Sequence, residues 1–403
     1  MIERRGYENR LEPSPEQTRL LLKFVGSRRW VWNWALALQK ERLEAGLPLF
    51  TYVELAKLLT SKRHEAETAW LAEGPVHTQQ AALRDLSLAL DRWRQRTSRF
   101  PRFKKKGRNE SIRYPDCKQI KFDFSTRDQD GRTRFPKIFL PKLGWIPFRL
   151  SRALVGKVCN ATVRYRSGHW HVSVQTECEI CPEPIPQTED NTIGGDIGIC
   201  QFLTLSDGSV VETPAHFKNK EAALQAAQRK LARMKRGSKR YNEQRKRIQR
   251  LHGRVAAARK DFLHQVSATL SKKHAFVKLE DVSLRKMVKT RESAPDGQKQ
   301  TRGMRARFNR SLLAVGWRMF LQFLDYKLRV RGGGLILVNP AYSSQECAAC
   351  SSIQKGNRLT RDRFRCLACD HADHADANAA KVIKKRAGHA RFACRDSHTG
   401  DLP

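Results

Sequence analysis

The stretch from Ser343 to Lys385 reads SSQECAACSSIQKGNRLTRDRFRCLACDHADHADANAAKVIKK. Cys347 and Cys350 form one Cys-x-x-Cys pair and Cys366 and Cys369 a second, with fifteen residues between the pairs. Two short turns that each deliver two thiolates suit the tetrahedral coordination of Zn²⁺, and the spacing is that of a zinc ribbon rather than of two disulfides. After the last cysteine, His371 to Lys381 reads HADHADANAAK, with Asp376 where a helical pattern through Ala379, Ala380, Val382 and Ile383 begins. Alone, Asp376 would serve as a helix N-cap. Two carboxylates upstream suggest another role for it.

Those carboxylates each close a buried-strand pattern. Thr192 to Gly198 reads TIGGDIG and runs into Asp196; His274 to Val282 reads HAFVKLEDV and carries Glu280; Gly334 to Val338 is a third apolar run, just before the cysteines. In α/β folds, ligands gather at the carboxyl ends of strands. Asp196, Glu280 and Asp376 brought together there would make a hard-cation site for Mg²⁺ or Mn²⁺. Two such ions about 4 Å apart activate a water and stabilise the leaving oxygen of a phosphodiester. Three like charges buried without a cation are costly, which argues against a purely structural trio. Asp207 and Asp281 are nearby decoys. The strand–strand–helix order of the three acids points to an RNase H-like nuclease.

The 403-residue chain carries 78 Lys and Arg against 40 Asp and Glu, a net charge of +38. Such an excess identifies a polyanionic partner, nucleic acid above all, rather than a fold. No apolar run reaches the length of a membrane-spanning helix, and MIERRGYENRLEPS has no signal-peptide core. The ten cysteines are expected as metal ligands and reduced thiols in a cytoplasmic setting. Cys178 and Cys181 make a further Cys-x-x-Cys without a partner pair and read as incidental.

From the N-terminus, Ser14-Pro15-Glu16-Gln17 and Thr51-Tyr52-Val53-Glu54 are two capping boxes opening helices. A third helix is expected from about Thr78 to Thr97, so residues 14–97 form a helical unit. Trp30, Trp32 and Trp34 read as core, with at most one free to stack on a base. From Arg94 to Lys121 there are eleven Lys or Arg and two acids. There Phe100 and Phe103 interleave with Arg102, Lys104, Lys105, Lys106 and Arg108, and Arg113 follows; cations beside aromatics suit an irregular or single-stranded nucleic acid. Strand patterns with a hairpin at Ser167-Gly168 indicate a small β-barrel over 101–178, with the helical unit inserted after an N-terminal strand. Pro182, Pro184 and Pro186 mark a linker. Two basic helices broken at Gly237-Ser238 are expected between Phe217 and Leu270; residues 228–260 hold fourteen Lys or Arg and one acid. Lys235, Arg236, Lys239 and Arg240 stand at that break as candidate phosphate contacts. Arg307 to Val330 reads as an amphipathic helix.

Taken together, GSRRWVWNW, FPRFKKKGRNESIRYP, LPKLG, GHWHVSV, GGDIGI, GSKRYNEQRKRIQRLH, KLEDVSLRKM, SSQECAAC and CLACDHADHADANAAKVI resemble the TnpB family, transposon-encoded RNA-guided nucleases related to type V CRISPR effectors. The resemblance implies a multidomain α+β protein. A split wedge β-barrel (1–13 and 98–185) would carry an inserted helical recognition domain (14–97). A split RuvC-like nuclease domain (191–342 and 371–390) would carry a zinc ribbon (343–370) that contacts target nucleic acid. A tail (391–403) would be too short for another domain. The implied nuclease triad is Asp196, Glu280 and Asp376, and the implied zinc ligands are Cys347, Cys350, Cys366 and Cys369. The implied activity is Mg²⁺- or Mn²⁺-dependent cleavage of double-stranded DNA matched by a transposon-derived guide RNA, beside a short target-adjacent motif. A non-cleaving RNA-guided repressor and a strand-joining transposase are the alternatives. Two departures stand out: Cys200 follows the first motif, and Asp370 takes a position after the last cysteine where the family commonly has glycine.

Overall fold

The structure is a computed structural model and describes residues 2–107, 110–125, 134–198, 201–281 and 315–390, the side chains of 215–221 and 390 excepted. Arg108, Cys200, the start of the expected helix at Arg307 and the tail from 391 onward lie outside the described residues. The chain divides into two compact units, one ending at Ile180 and one beginning at Cys181.

In the first unit, β1 (Ile2–Leu11) leads into α1 (Pro15–Glu44), α2 (Tyr52–His64) and α3 (Val76–Arg94). Both capping boxes form: the Ser14 hydroxyl accepts from Gln17 N while the Gln17 side chain accepts from Ser14 N, and Thr51 and Glu54 repeat the pattern. Leu36, Leu55, Leu59, Leu83 and Leu86 fill the core of the helical part. Then follow β2 (Ser111–Tyr114), β3 (Lys121–Asp123), β4 (Lys137–Leu140), β5 (Gly144–Arg149), β6 (Lys157–Arg166) and β7 (His169–Glu179). The seven strands order as β2-β6-β7-β1-β5-β4-β3, with antiparallel pairing throughout. β1 pairs with β7 over its whole length, Ile2 opposite Glu179 and Leu11 opposite Trp170. The helices are therefore inserted between strands of one sheet. The sheet curls about a shared core in which Ile112 of β2, Ile146 of β5 and Val172 of β7 meet Leu21 and Phe24 of α1. Its pairing is a linear order with β2 and β3 at the ends, so the expected barrel appears as a curled sheet. Ser167 and Gly168 both take positive φ, 54° and 90°, which matches the twist of a tight β6–β7 hairpin.

The second unit contains β8 (Thr192–Asp196), β9 (Gln201–Leu205), β10 (Val210–Glu212), α4 (Ala215–Ala232), α5 (Lys239–Lys273), β11 (Phe276–Glu280), α6 (Trp317–Arg329), β12 (Gly334–Val338), β13 (Arg363–Arg365), β14 (Ala372–His374), α7 (Ala375–Lys385) and β15 (His389–Ala390). Six strands order as β10-β9-β8-β11-β12-β15. β8, β11 and β12 run parallel, with Val277 opposite both Ile193 and Leu335. β9, β10 and β15 are antiparallel additions. α5 and α6 supply Leu263, Leu270, Phe320 and Leu324 to the core on this sheet. The proline-rich stretch expected as a linker is pinned within this unit, since Ile185 N donates to Gly332 O at 3.0 Å. No helix among the described residues is long and apolar enough to cross a membrane.

Candidate functional site

The two glycines ahead of Asp196 face opposite sides of β8 and set the geometry of the site. A Cβ on Gly194 would lie 2.3 Å from the Ala380 carbonyl and 2.6 Å from Lys384 N, so α7 packs directly on the strand backbone. A Cβ on Gly195 would lie 2.8 Å from Leu203 and 2.9 Å from Leu279. Small residues on α7 complete the close fit, since Ala375, Ala377, Ala379 and Ala380 are all buried. This close approach carries Asp376, in the first turn of α7, to the end of β8 where Asp196 stands. Glu280 ends the adjacent parallel strand β11.

Asp196 senses both of the other carboxylates. Burial, then the charges of Glu280 and Asp376, push the Asp196 carboxyl up to about 7, against a lowering by Arg358. Burial also pushes the Glu280 carboxyl up, partly offset by a hydrogen bond from the Ser343 hydroxyl and by Arg386. Arg358 reaches Asp376, Nη2 to Oδ1 at 3.3 Å. Asp376 is not the helix cap; His374 is, with its Nδ1 accepting from Asp376 N at 3.3 Å. Asp207 is occupied in a turn, accepting from Ser209 N at 2.8 Å and Ser209 Oγ at 2.6 Å.

The four cysteines form the one group of potential metal-ligating side chains, among the described residues, whose ligand atoms all lie within 4.8 Å of one another. The three carboxylates do not form such a group. Cys347 and Cys369 sulfurs are 3.7 Å apart and those of Cys350 and Cys366 3.5 Å. Sulfurs around a tetrahedral zinc at about 2.3 Å stand about 3.8 Å from one another, so the cluster fits that ion. Each turn repeats one design: Ala349 N donates to Cys347 Sγ and Ala368 N to Cys366 Sγ, both at 3.4 Å. Burial raises the Cys366 thiol, yet donors from Ala368 and Cys369 and the neighbouring sulfurs bring it down to about 7. Ser351 and Asp370, each following the second cysteine of its pair, take φ of 60° and 56°. Asp370 therefore holds the left-handed position, and Arg365 bonds its carboxylate at 3.1 Å.

The cysteine cluster is wired to the carboxylates through Asn378. Its Oδ1 accepts from Ala348 N, inside the first Cys-x-x-Cys turn, at 2.9 Å, and its Nδ2 donates to Glu346 O at 2.7 Å. Asn378 is fully buried two residues beyond Asp376. Ser343 and Arg358, flanking and within the cysteine segment, bond two of the three acids. Sequence reasoning missed Ser343, Arg358 and Asn378, because each acts through a partner distant in sequence.

The basic candidates fall in two places. Trp32 Nε1 donates to Arg102 O at 3.1 Å, and the Asn33 amide brackets the backbone of Lys104 at 3.0 and 2.8 Å, strapping this segment onto α1. Lys104 lies over the Trp32 ring, 3.6 Å from its centroid, and burial lowers it to about 8. Arg102, Lys105 and Lys106 are exposed. Arg113 lies 3.9 Å from Asp85. In the second unit, Lys235, Arg236 and Lys239 are exposed at the α4–α5 turn. Arg240 lines a cleft of about 660 Å³ together with Arg247, Arg250 and Arg254.

A curated relative, "Putative RNA-guided DNA endonuclease InsQ" of Escherichia coli (strain K12), is 38% identical over 391 residues, covering 96% of this chain and 93% of its own. This chain belongs to the TnpB family. A second relative, "Putative RNA-guided DNA endonuclease" of Streptomyces pristinaespiralis, is 28% identical over 98% of this chain and 91% of its own. Family models match in three places: "Probable transposase" over residues 170–291, "Cas12f1-like, TNB domain" over 317–383, and "Helix-turn-helix domain" over 1–47. In this TnpB-family protein the last of these spans β1 and the single long helix α1. Among solved structures, "Structure of the mini-RNA-guided endonuclease CRISPR-Cas_phi3" shares the fold, with a TM-score of 0.50 and 9% identity over 95% of this chain and 92% of that one.

Proposed function

We propose that this protein is an RNA-guided DNA endonuclease with Asp196, Glu280 and Asp376 as its catalytic carboxylates. The observation that carries the reading is their convergence at the ends of two parallel strands and the start of α7, with Asp196 raised to about 7 by burial and the other two acids. A hard divalent cation relieves that charge, and Mg²⁺ or Mn²⁺ bound there would supply an activated water and neutralise the leaving oxygen. Asp196 and Glu280 would bind from the strand ends, and Asp376 from the helix start. Arg358 holds Asp376 and brings a positive charge to bear on Asp196. Ser343 fixes the Glu280 carboxylate.

The names of the two relatives support guidance by RNA and cleavage of DNA. In this reading the sheet of the first unit is the wedge, with bounds 1–13 and 98–185, and 14–97 is the recognition domain. The second unit is a RuvC-like nuclease domain carrying a zinc ribbon at 343–370. Lys105, Lys106, Arg102 and Arg113 on one side, and Lys235, Arg236, Lys239 and Arg240 on the other, contact phosphates of the guide RNA and the target duplex. The guide specifies sequence by base pairing, and the protein reads a short adjacent motif, as described in general for another effector type.

The test is to express the protein with its native flanking DNA, sequence the copurifying RNA, and assay Mg²⁺-dependent cutting of a matched duplex. One dominant RNA and guided cutting that Asp196→Ala abolishes, with RNA binding retained, are expected. Undiminished cutting by Asp196→Ala would refute the triad. The "Probable transposase" match over 170–291 favours a second reading, strand transfer. Joined products would support it, and cutting without joining would exclude it.

A further inference from the structure

The run of three tryptophans on α1 divides in the structure. Trp32 is buried, with its N–H on Arg102 O. Trp30 and Trp34 lie on another face, ring planes 8° apart and centroids 5.8 Å apart. Trp70, 42% exposed, stands at 81° to Trp30 with centroids 5.9 Å apart. These rings border a cavity of about 790 Å³, within the range of a ligand site.

Gly26 supplies the second observation. It sits mid-way along a 30-residue helix, where glycine disfavours the helical state relative to alanine. Among the described residues nothing requires it: beyond its own helix backbone, a Cβ there would meet only Arg29 Nη2, at 3.9 Å. Yet Gly26 lines the cavity, one turn before Trp30. A mid-helix glycine with open space above it suits close approach of a ligand to the helix backbone.

Charge and neighbours define the ligand. Lys23 and Arg29 edge the cavity together with Glu73; Lys23 pairs with Glu73 at 3.0 Å and Arg29 with Glu110 at 3.3 Å, so the excess of positive charge beside it comes from the segment strapped onto this helix. Asn33 lines it too and clasps Lys104 of the basic strap, so exposed Lys105 and Lys106 follow on from the same helix. Flat indoles next to cations, on a chain of +38, fit a nucleobase whose phosphates run along the basic rim. The indole pair is too closely stacked to admit a base between its rings, so a base would lie on an outer ring face. A ready-formed site of this kind suits RNA, whose loops, bulges and ends present bases already unpaired, whereas duplex DNA must first be opened.

We propose that the cavity bounded by Gly26, Trp30, Trp34 and Trp70 holds an unpaired base of the guide RNA. This rests on the RNA-guided reading above. The test uses full-length protein freed of RNA and a twelve-nucleotide oligouridine carrying 5-bromouridine. Photocrosslinks are expected on the tryptic peptides Trp30–Lys40 or His64–Arg84. Gly26→Leu, which fills the cavity, and Trp70→Ala should each weaken oligouridine binding about 5- to 100-fold, the effect of losing one stacked base. Thermal melting verifies that both variants fold, and Gly26→Ala should melt no lower than wild type. Crosslinks confined to other peptides together with unchanged affinity would overturn the proposal. So would equal or tighter binding of the matching bromodeoxyuridine DNA, which would make this a DNA subsite. A change of oligomeric state in Trp70→Ala with RNA affinity intact would make it a contact between copies. Guided cutting by wild type with unaffected binding by the variants would remove this subsite alone. Absence of a dominant RNA from wild type would instead remove the functional reading.

Discussion

Asp196→Asn is expected to stabilise the protein in the absence of divalent cations while abolishing cleavage. Asparagine keeps the size of the side chain and removes its charge. The carboxyl rises from 3.8 to about 7 in the folded chain, so the folded state resists losing a proton that the unfolded chain gives up readily. The unfolded state therefore ionises first, and wild-type stability falls as pH climbs from about 4 to about 7, then levels off. At about 1.4 kcal/mol per tenfold change, the penalty is about 2 kcal/mol near pH 5.5 and about 4 kcal/mol near pH 8. The gap between variant and wild type should thus widen by about 2 kcal/mol over that interval, or about 4–8 °C in melting temperature for a unit of this length. Saturating Mg²⁺ should raise wild type more than the variant and narrow the gap. Melting curves of zinc-loaded protein at the two pH values, with and without Mg²⁺, supply the measurement. A gap that stays flat with pH, or one that Mg²⁺ leaves untouched, would refute the charge-burial argument.

Three other outcomes follow from the same contacts. Gly194→Ala should drive α7 away from β8, lowering stability by about 1–3 kcal/mol and removing cleavage, since its Cβ would lie 2.3 Å from the Ala380 carbonyl; normal cutting would show that α7 need not pack so closely. Arg358→Ala should slow cutting at least about tenfold with guide RNA affinity unchanged, because it removes the cation that holds Asp376; a loss of RNA affinity instead would make Arg358 a binding residue. One zinc per chain should be released by a thiol-modifying mercurial, read with a colorimetric chelator, and Asn378→Ala should ease that release by uncoupling Ala348 from α7; zinc content unaffected by Cys366→Ser would refute the four-sulfur site.

Much of the local structure was legible because its causes are local. The capping boxes at Ser14 and Thr51 need only residues three apart, and both form. The Ser167-Gly168 turn, the break at Gly237-Ser238 and the strands ending at Asp196 and Glu280 are dictated by short patterns of φ preference and apolar alternation. Asp370, standing where the family commonly has glycine, takes the left-handed conformation, with Arg365 bonding its side chain. Less legible were the packing of Trp30 and Trp34 at the edge of the helical core, where Trp70 meets Trp30, and the curled form that the sheet takes among the described residues.

The cysteine spacing, the positions of the three acids within their elements and the basic character of the chain follow from residue type and short-range periodicity alone. The tertiary structure decided what joins them. Gly194 lets α7 lie against β8, Asn378 ties a cysteine turn to the helix that carries Asp376, and Ser343 and Arg358 return to Glu280 and Asp376 from a segment far along the chain. Such contacts depend on close packing and hydrogen bonds between residues up to 190 positions apart, as at Gly194 and Lys384, and no local pattern encodes them.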